Sequence, residues 1–164
     1  MLTNGCTFSP CRRYRYTLEH VMDPLLPLRR IMWIGLNPST ADEQQLDPTL
    51  RRIRGFSQAW GFTAFVMTNV FAFRATVPAD MKAQADPVGP DNDLWLGRMA
   101  IDCEVVVAAW GKHGAHAGRA ADVVQKLSPL ARAGLVCLGR NGDGSPKHPL
   151  YVAGDTLLVP FQVV

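Results

Sequence analysis

The stretch that decides the fold is IMWIGLNPSTAD, residues 31–42. Its first half is an unbroken apolar run, the pattern of a strand buried on both faces, and such strands belong to parallel sheets covered by helices. Its second half turns polar at once. Asn37 and Pro38 break the run, and two hydroxyl residues and an acid follow. Pro38 biases Asn37 away from helical dihedrals, so the chain turns with the amide presented at the strand's carboxyl end. In an open α/β sheet, that is the end where ligands collect.

Working outward, three more runs repeat the pattern. TAFVMTNV (63–70), CEVVVAAW (103–110) and AGLVCLG (133–139) join RRIMWIGL (29–36) as four central parallel strands. YRYTLEH (14–20) and DTLLVPFQV (155–163) alternate more and read as peripheral or antiparallel strands. Between them lie helices with legible starts. In DPTLRRIRGFSQAW, Asp47 suits an N-cap and Pro48 the first helical position, with Leu50, Ile53 and Trp60 marking the inner side. GPDNDLWLGRMAI repeats the device with Pro90, and HAGRAADVVQKLSPLA supplies a third helix ending near Pro129. The expected architecture is a single α/β domain over residues 1–164. It is a three-layer α/β/α sandwich with a central, mainly parallel four-stranded sheet and extra edge strands. The polar segments after the four central strands, beginning at GLNPST, NVFAFRAT, AWGKHG and GRNGDG, then project to one rim.

Composition narrows the class. Hydrophobic residues make up 48% of the 164, enough for a sizeable core, which argues against disorder. A net charge of +3 permits nucleic-acid contact without the basic excess of strong binders. No apolar run reaches membrane-spanning length and the N-terminus has no signal-peptide core, so the reading is a soluble, cytoplasmic protein with no membrane partner. Of the cysteines, only Cys6 and Cys11 are closely spaced, whereas a zinc knuckle needs two such pairs. Cys103 and Cys137 fall in or beside apolar segments and read as core. No metal, cofactor or protein partner is expected.

Several residues keep two readings open. Asn37 suits a turn or a ligand, and Asn69 suits a strand-end cap or a ligand. Arg54 reads as part of a solvated helix face, while Arg51 or Arg52, depending on the helix rotation, could join Arg74 at an anion. His113 and His116 have one-face spacing but no third metal ligand. Trp33, Trp60, Trp95 and Trp110 read as core.

The order GLNPST, DPTLRR, NVFAFRAT, AWGKHG, HPLY resembles the domain-of-unknown-function 1643 family, from Tyr14 to about Tyr151. More distantly the layout is similar to the uracil-DNA glycosylase superfamily. There a Gly-x-x-Pro motif follows the first strand, an Asn ends the second, and a His-Pro motif follows the fourth. The corresponding residues here are Gly35–Pro38, Asn69 and His148. GLNP looks most like the mismatch-specific branch, and MTNVFAFRATVPAD like the thermostable branch. The latter carries an iron–sulfur cluster on four cysteines, whose spacing this chain does not match.

The resemblance implies an enzyme of N-glycosidase type that recognises a nucleobase, in DNA or in a free nucleotide; the alternative is a module that binds such a base without cleaving it. In the enzyme reading the base leaves with negative charge, which prepositioned donors stabilise. His148 would donate to a carbonyl oxygen of the base, Asn69 would read its edge, and Asn37 would hold the attacking water. Asp42 or Asp47, neither of them at a superfamily motif position, would supply a nearby carboxylate, and Phe71 or Phe73 would stand in for the stacking aromatic that the first loop lacks. Leu150 and Tyr151 take the place of a duplex-opening wedge. From the residues themselves, Ser39, Thr40, Arg74 and Arg51 are the candidate phosphate binders. The chain departs from the superfamily at Ser39, where glycine is usual, and at Leu150, where serine is usual.

Overall fold

The computed structural model describes residues 4–39 and 45–162, so the candidates Thr40 and Asp42 lie outside the described residues. Seven strands form one mixed sheet: β1 (Gly5–Phe8), β2 (Arg15–Val21), β3 (Arg30–Gly35), β4 (Ala64–Asn69), β5 (Val105–Ala108), β6 (Leu135–Cys137) and β7 (Val159–Pro160). Their order is β1-β2-β4-β3-β5-β6-β7. β4, β3, β5 and β6 are mutually parallel, and antiparallel strands extend the sheet at both sides. The expected four-stranded sheet is therefore the centre of a larger mixed one. Strand β1 was not anticipated, because GCTF carries no hydrophobic alternation and gains its place only by pairing with β2. DTLLVPFQV shrinks to the two-residue β7, since Pro160 has no N–H to give a ladder.

Four helices pack on the sheet: α1 (Pro48–Ala59), α2 (Pro78–Lys82), α3 (Asn92–Asp102) and α4 (Arg119–Leu127). Asp47 caps α1, its carboxylate accepting the Leu50 N–H at 2.8 Å, and Pro48 opens the helix. Pro90, by contrast, stands two residues ahead of α3, which starts without a side-chain cap. Alternation along each central strand sends residues to two cores. Ile31, Trp33, Phe65, Met67 and Val107 pack beneath Leu50, Ile53 and Phe56 of α1. Met32, Ile34, Val66, Val106 and Cys137 pack against Met81, Leu96, Met99, Val123 and Leu127 of α2, α3 and α4. Burial on both faces is the reason these strands read as unbroken apolar runs.

Cys103 and Cys137 are fully buried, and burial pushes the Cys103 thiol up to about 12. All four tryptophans lie in or against the cores. Among the described residues, no helix is long and apolar enough to cross a membrane.

Candidate functional site

The carboxyl ends of the four parallel strands open onto one cavity of about 880 Å³. Residues 35–39, 75, 76, 78, 109–113, 141–143 and 148–151 contribute to its wall, so the four loops do share one rim. Register brings the first two together. Gly35 lies opposite Asn69 in the β3–β4 ladder. The pairing continues past the strands, with Val70 N–H donating to the Gly35 carbonyl, Phe71 N–H to Leu36 and Ala75 N–H to Pro38.

Within this stitched pair of loops, Asn37 donates its Nδ2–H groups to the carbonyls of Ala75 (2.9 Å) and Pro38 (3.2 Å). Its donors are thus committed to backbone, and Oδ1 remains to accept from a ligand or a water. Asn69 lines the same cavity at 1% exposure, and its Oδ1 is buried without a hydrogen-bond partner. A buried polar atom left unpaired costs about 1–3 kcal/mol, which a ligand N–H would relieve. The backbone around it is held from behind: Asn92 Nδ2 donates to the carbonyls of Asn69 (3.0 Å) and Val70 (3.2 Å), and Arg119 Nε to that of Val70 (2.7 Å).

Gly35 is part of the same arrangement. A Cβ there would come within 2.8 Å of Asn69 Oδ1 and 2.5 Å of Met67 Cε. Met67 has a flexible end that can yield; the buried amide of Asn69 cannot shift without losing its position. Gly35→Ala is therefore expected to weaken ligand binding about tenfold or more while costing about 1–3 kcal/mol of stability. Titration of a bound base alongside thermal unfolding separates the two, and unchanged affinity would contradict this geometry.

From the fourth loop, His148 is fixed in tautomer as well as position. Its Nδ1 accepts the Leu150 N–H at 3.2 Å, capping the short 3-10 turn Pro149–Tyr151. A neutral ring with Nδ1 accepting carries its proton on Nε2, leaving that N–H to donate. Burial holds its pKa below the ordinary histidine value, and the charge of Asp47 pulls partly the other way. Asp47 also lines the cavity. One carboxylate oxygen caps α1, and the other accepts from Ser39 Oγ at 3.2 Å. Leu150 and Tyr151 stand at the rim, 43% and 82% exposed.

The remaining sequence candidates fall elsewhere. Phe71 is completely buried in the α2–α3–α4 core beside the His116 ring and does not line the cavity. Arg74 turns to the β1–β2 hairpin, donating to the Arg12 carbonyl and lying over Phe8. Arg51 donates to the Leu46 carbonyl at the start of its own helix. Neither arginine lines the cavity. Arg52, the other arginine that could have joined Arg74 at an anion, lies over Phe56 instead and donates to the carbonyls of Pro149 and Val152, tying the His148 segment to α1.

Polar cavity residues not anticipated as ligands of a base or phosphate include Arg15, Thr76, Lys112, His113 and Asp143. Lys112 and His113 lie in AWGKHG, a loop already legible as part of the rim; no spacing rule singles out Lys112, and the spacing of His113 to His116 points only to a metal site without a third ligand. Arg15 sits on a strand and is brought beside the site by the backbone beyond β4, its N–H donating to the Ala72 carbonyl at 3.0 Å. Among the described residues, no group of three or more potential metal ligands is gathered.

A family model described as "Protein of unknown function (DUF1643)" matches residues 15–150. No curated protein and no solved structure matches the chain.

Proposed function

The chain belongs to the DUF1643 family, and we propose that its cavity recognises a nucleobase and acts as an N-glycosidase-like hydrolase on a base in DNA or in a free nucleotide. The observation that carries the reading is the unpartnered, buried Asn69 amide oxygen in the wall shared with Asn37 and His148. Base edges present N–H and carbonyl groups side by side, and this wall presents acceptors at Asn69 and Asn37 with a donor at His148 Nε2. The four central parallel strands and the loops that follow them are compatible with the uracil-DNA glycosylase layout inferred from the motifs.

In this reading His148 donates to a base carbonyl as negative charge develops on the leaving base, where a prepositioned donor acts most strongly. Asn37 Oδ1 accepts from the attacking water and orients it, without acting as a base. Leu150 and Tyr151, exposed at the rim and fastened by Arg52, fill the space from which a base would be extruded. The placement of Phe71 in the core leaves stacking to another group.

A second reading, recognition without cleavage, is favoured by Asp47. Both its oxygens accept hydrogen bonds from Leu50 N–H and Ser39, so the carboxylate nearest His148 is occupied in holding the helix and the loop.

The deciding experiment is base release from single- and double-stranded oligonucleotides carrying uracil, hypoxanthine, xanthine or mismatched thymine, and from the corresponding free nucleotides. Release that Asn37→Ala lowers at least a hundredfold, with the fold intact, supports the hydrolase and names its base. No release from folded protein in excess, together with saturable binding of a base, selects the second reading.

A further inference from the structure

The cations expected at the cavity, Arg51 and Arg74, are absent from its wall, while a different set is present. Lys112 and His113 follow β5 in the loop Trp110–Gly114. This turn is built by two glycines. Gly111 adopts φ +69°, and a Cβ on Gly114 would fall 2.2 Å from Cδ1 of the buried Trp110 ring. Its conformation therefore holds the two intervening side chains at the wall.

α2 meets the turn there. Lys82 Nζ donates to His113 Nδ1 at 2.9 Å, which places the ring proton of neutral His113 on Nε2. Burial, then the charges of Lys82 and Lys112, hold the His113 pKa below its ordinary value. Two ammonium groups and an N–H donor thus gather where the loop after β5 meets α2, with the hydroxyl residue Thr76 just before that helix also in the wall. Asp143 is an exposed carboxylate also in the cavity wall; it feels the charge of Lys112 and already accepts from the N–H and hydroxyl of Ser145 at 2.9 and 2.5 Å. Asp47 belongs to the His148 group instead, through Ser39 and α1. Charge is therefore divided within the cavity.

We propose that Lys112 and His113, backed by Lys82, form an anion subsite that takes the phosphate of a nucleoside monophosphate. This rests on the nucleobase reading above and narrows it to free mononucleotides. A cavity of about 880 Å³ lies in the size range that encloses small molecules, and the chain's net charge of +3 supplies little for tracking a strand.

The test compares, at one ionic strength, binding of a nucleoside, its monophosphate, a dinucleoside monophosphate and inorganic phosphate to wild type and to Lys112→Gln/His113→Asn. The monophosphate is expected to bind wild type at least tenfold more tightly than the nucleoside, with the advantage falling to within twofold in the variant and nucleoside affinity unchanged. Equal affinity for nucleoside and monophosphate, or an advantage the variant keeps, overturns the subsite while leaving the nucleobase reading standing. Inorganic phosphate that perturbs the His113 ring resonances of wild type supports the subsite, and if the nucleoside and monophosphate then bind no more tightly than phosphate alone, the nucleobase reading is removed. Tighter binding of the dinucleoside monophosphate than of the monophosphate assigns the contact to strand backbone and overturns the mononucleotide class.

Discussion

His148→Ala is expected to lower base release by about 10²–10³-fold, the usual cost of deleting one donor aimed at developing negative charge. Stability should fall much less, by about 0.5–2 kcal/mol, since the ring also acts as an N-cap. His148→Asn divides the two functions. Its amide oxygen can accept the Leu150 N–H that Nδ1 accepts in the native protein, but its side chain is too short to carry a donor to the position of Nε2. Recovery of stability without recovery of turnover is the expected pattern. A His148→Ala enzyme that keeps the wild-type rate would remove His148 from the chemistry.

The same ring sets the acid limb. Protonation puts a hydrogen on Nδ1, where it confronts the Leu150 N–H, and this adds to the burial that already disfavours the charged form. The folded protein consequently binds fewer protons at His148 than the unfolded chain does near its ordinary pKa of about 6.5. Stability from this cap is fully present above that pH and is lost as the pH falls through the lowered folded value. Turnover should follow the same direction, flat at neutrality and declining only as the pH falls through the lowered folded value, below the ordinary histidine pKa. A rate that rises toward acid would require the imidazolium as the working form and would contradict the tautomer assignment.

Trp33→Ala is the substitution expected to damage the fold most. Trp33 is fully buried at the centre of β3, stacks on Trp60 at 5.8 Å between centroids, and lies 6.2 Å from Phe56. Its Nε1–H donates to Ser57 Oγ at 3.0 Å, and Ser57 in turn donates to the Ile53 carbonyl at 2.7 Å. Truncation removes the largest side chain holding α1 to the sheet and leaves a cavity, at a cost of about 3–5 kcal/mol. For a chain of this size that is a fall in Tm of roughly 6–20 °C. Trp33→Phe keeps most of the packing and should recover more than half of the loss. Because α1 carries Arg52, which fastens the His148 segment, a destabilised α1 should also weaken ligand binding more than a comparable lesion beneath α4. Val123→Ala, in the opposite core, is the matched control.

The central strands were legible because both of their faces are buried. Residues 31–34, 64–67, 105–108 and 135–137 are apolar throughout, and that property survives in one dimension. α1 was legible for a local reason as well, since an N-cap carboxylate and a first-turn proline act within four residues of each other. β1 and α2 were not. GCTF gains strand character only from its partner. PADMK is one turn long, too short for any periodicity, and is held by Met81 in the core. The rim was legible because polar turns after parallel strands gather at one end. The identity of its charged residues was not. Arg51 and Arg74 sit in rim-facing segments of sequence, yet helix rotation and the β1–β2 hairpin take their guanidinium groups elsewhere.

The amino-acid sequence by itself determined which segments are buried on two faces, that Asn37 and Asn69 stand at the ends of two of them, and that His148 stands in the loop that follows another. These follow from hydrophobic pattern and from backbone preferences of proline and asparagine, both of which act over a few residues. Only the tertiary structure decided which atoms are left to bind. The register that sets Gly35 against Asn69 leaves one amide oxygen unpaired, and the loop ladder consumes the donors of Asn37. The Leu150 N–H chooses the tautomer of His148, and Lys82 reaches His113 across 31 residues of sequence. Hydrogen-bond partnership depends on distance and angle between groups far apart in the chain, and no local pattern encodes it.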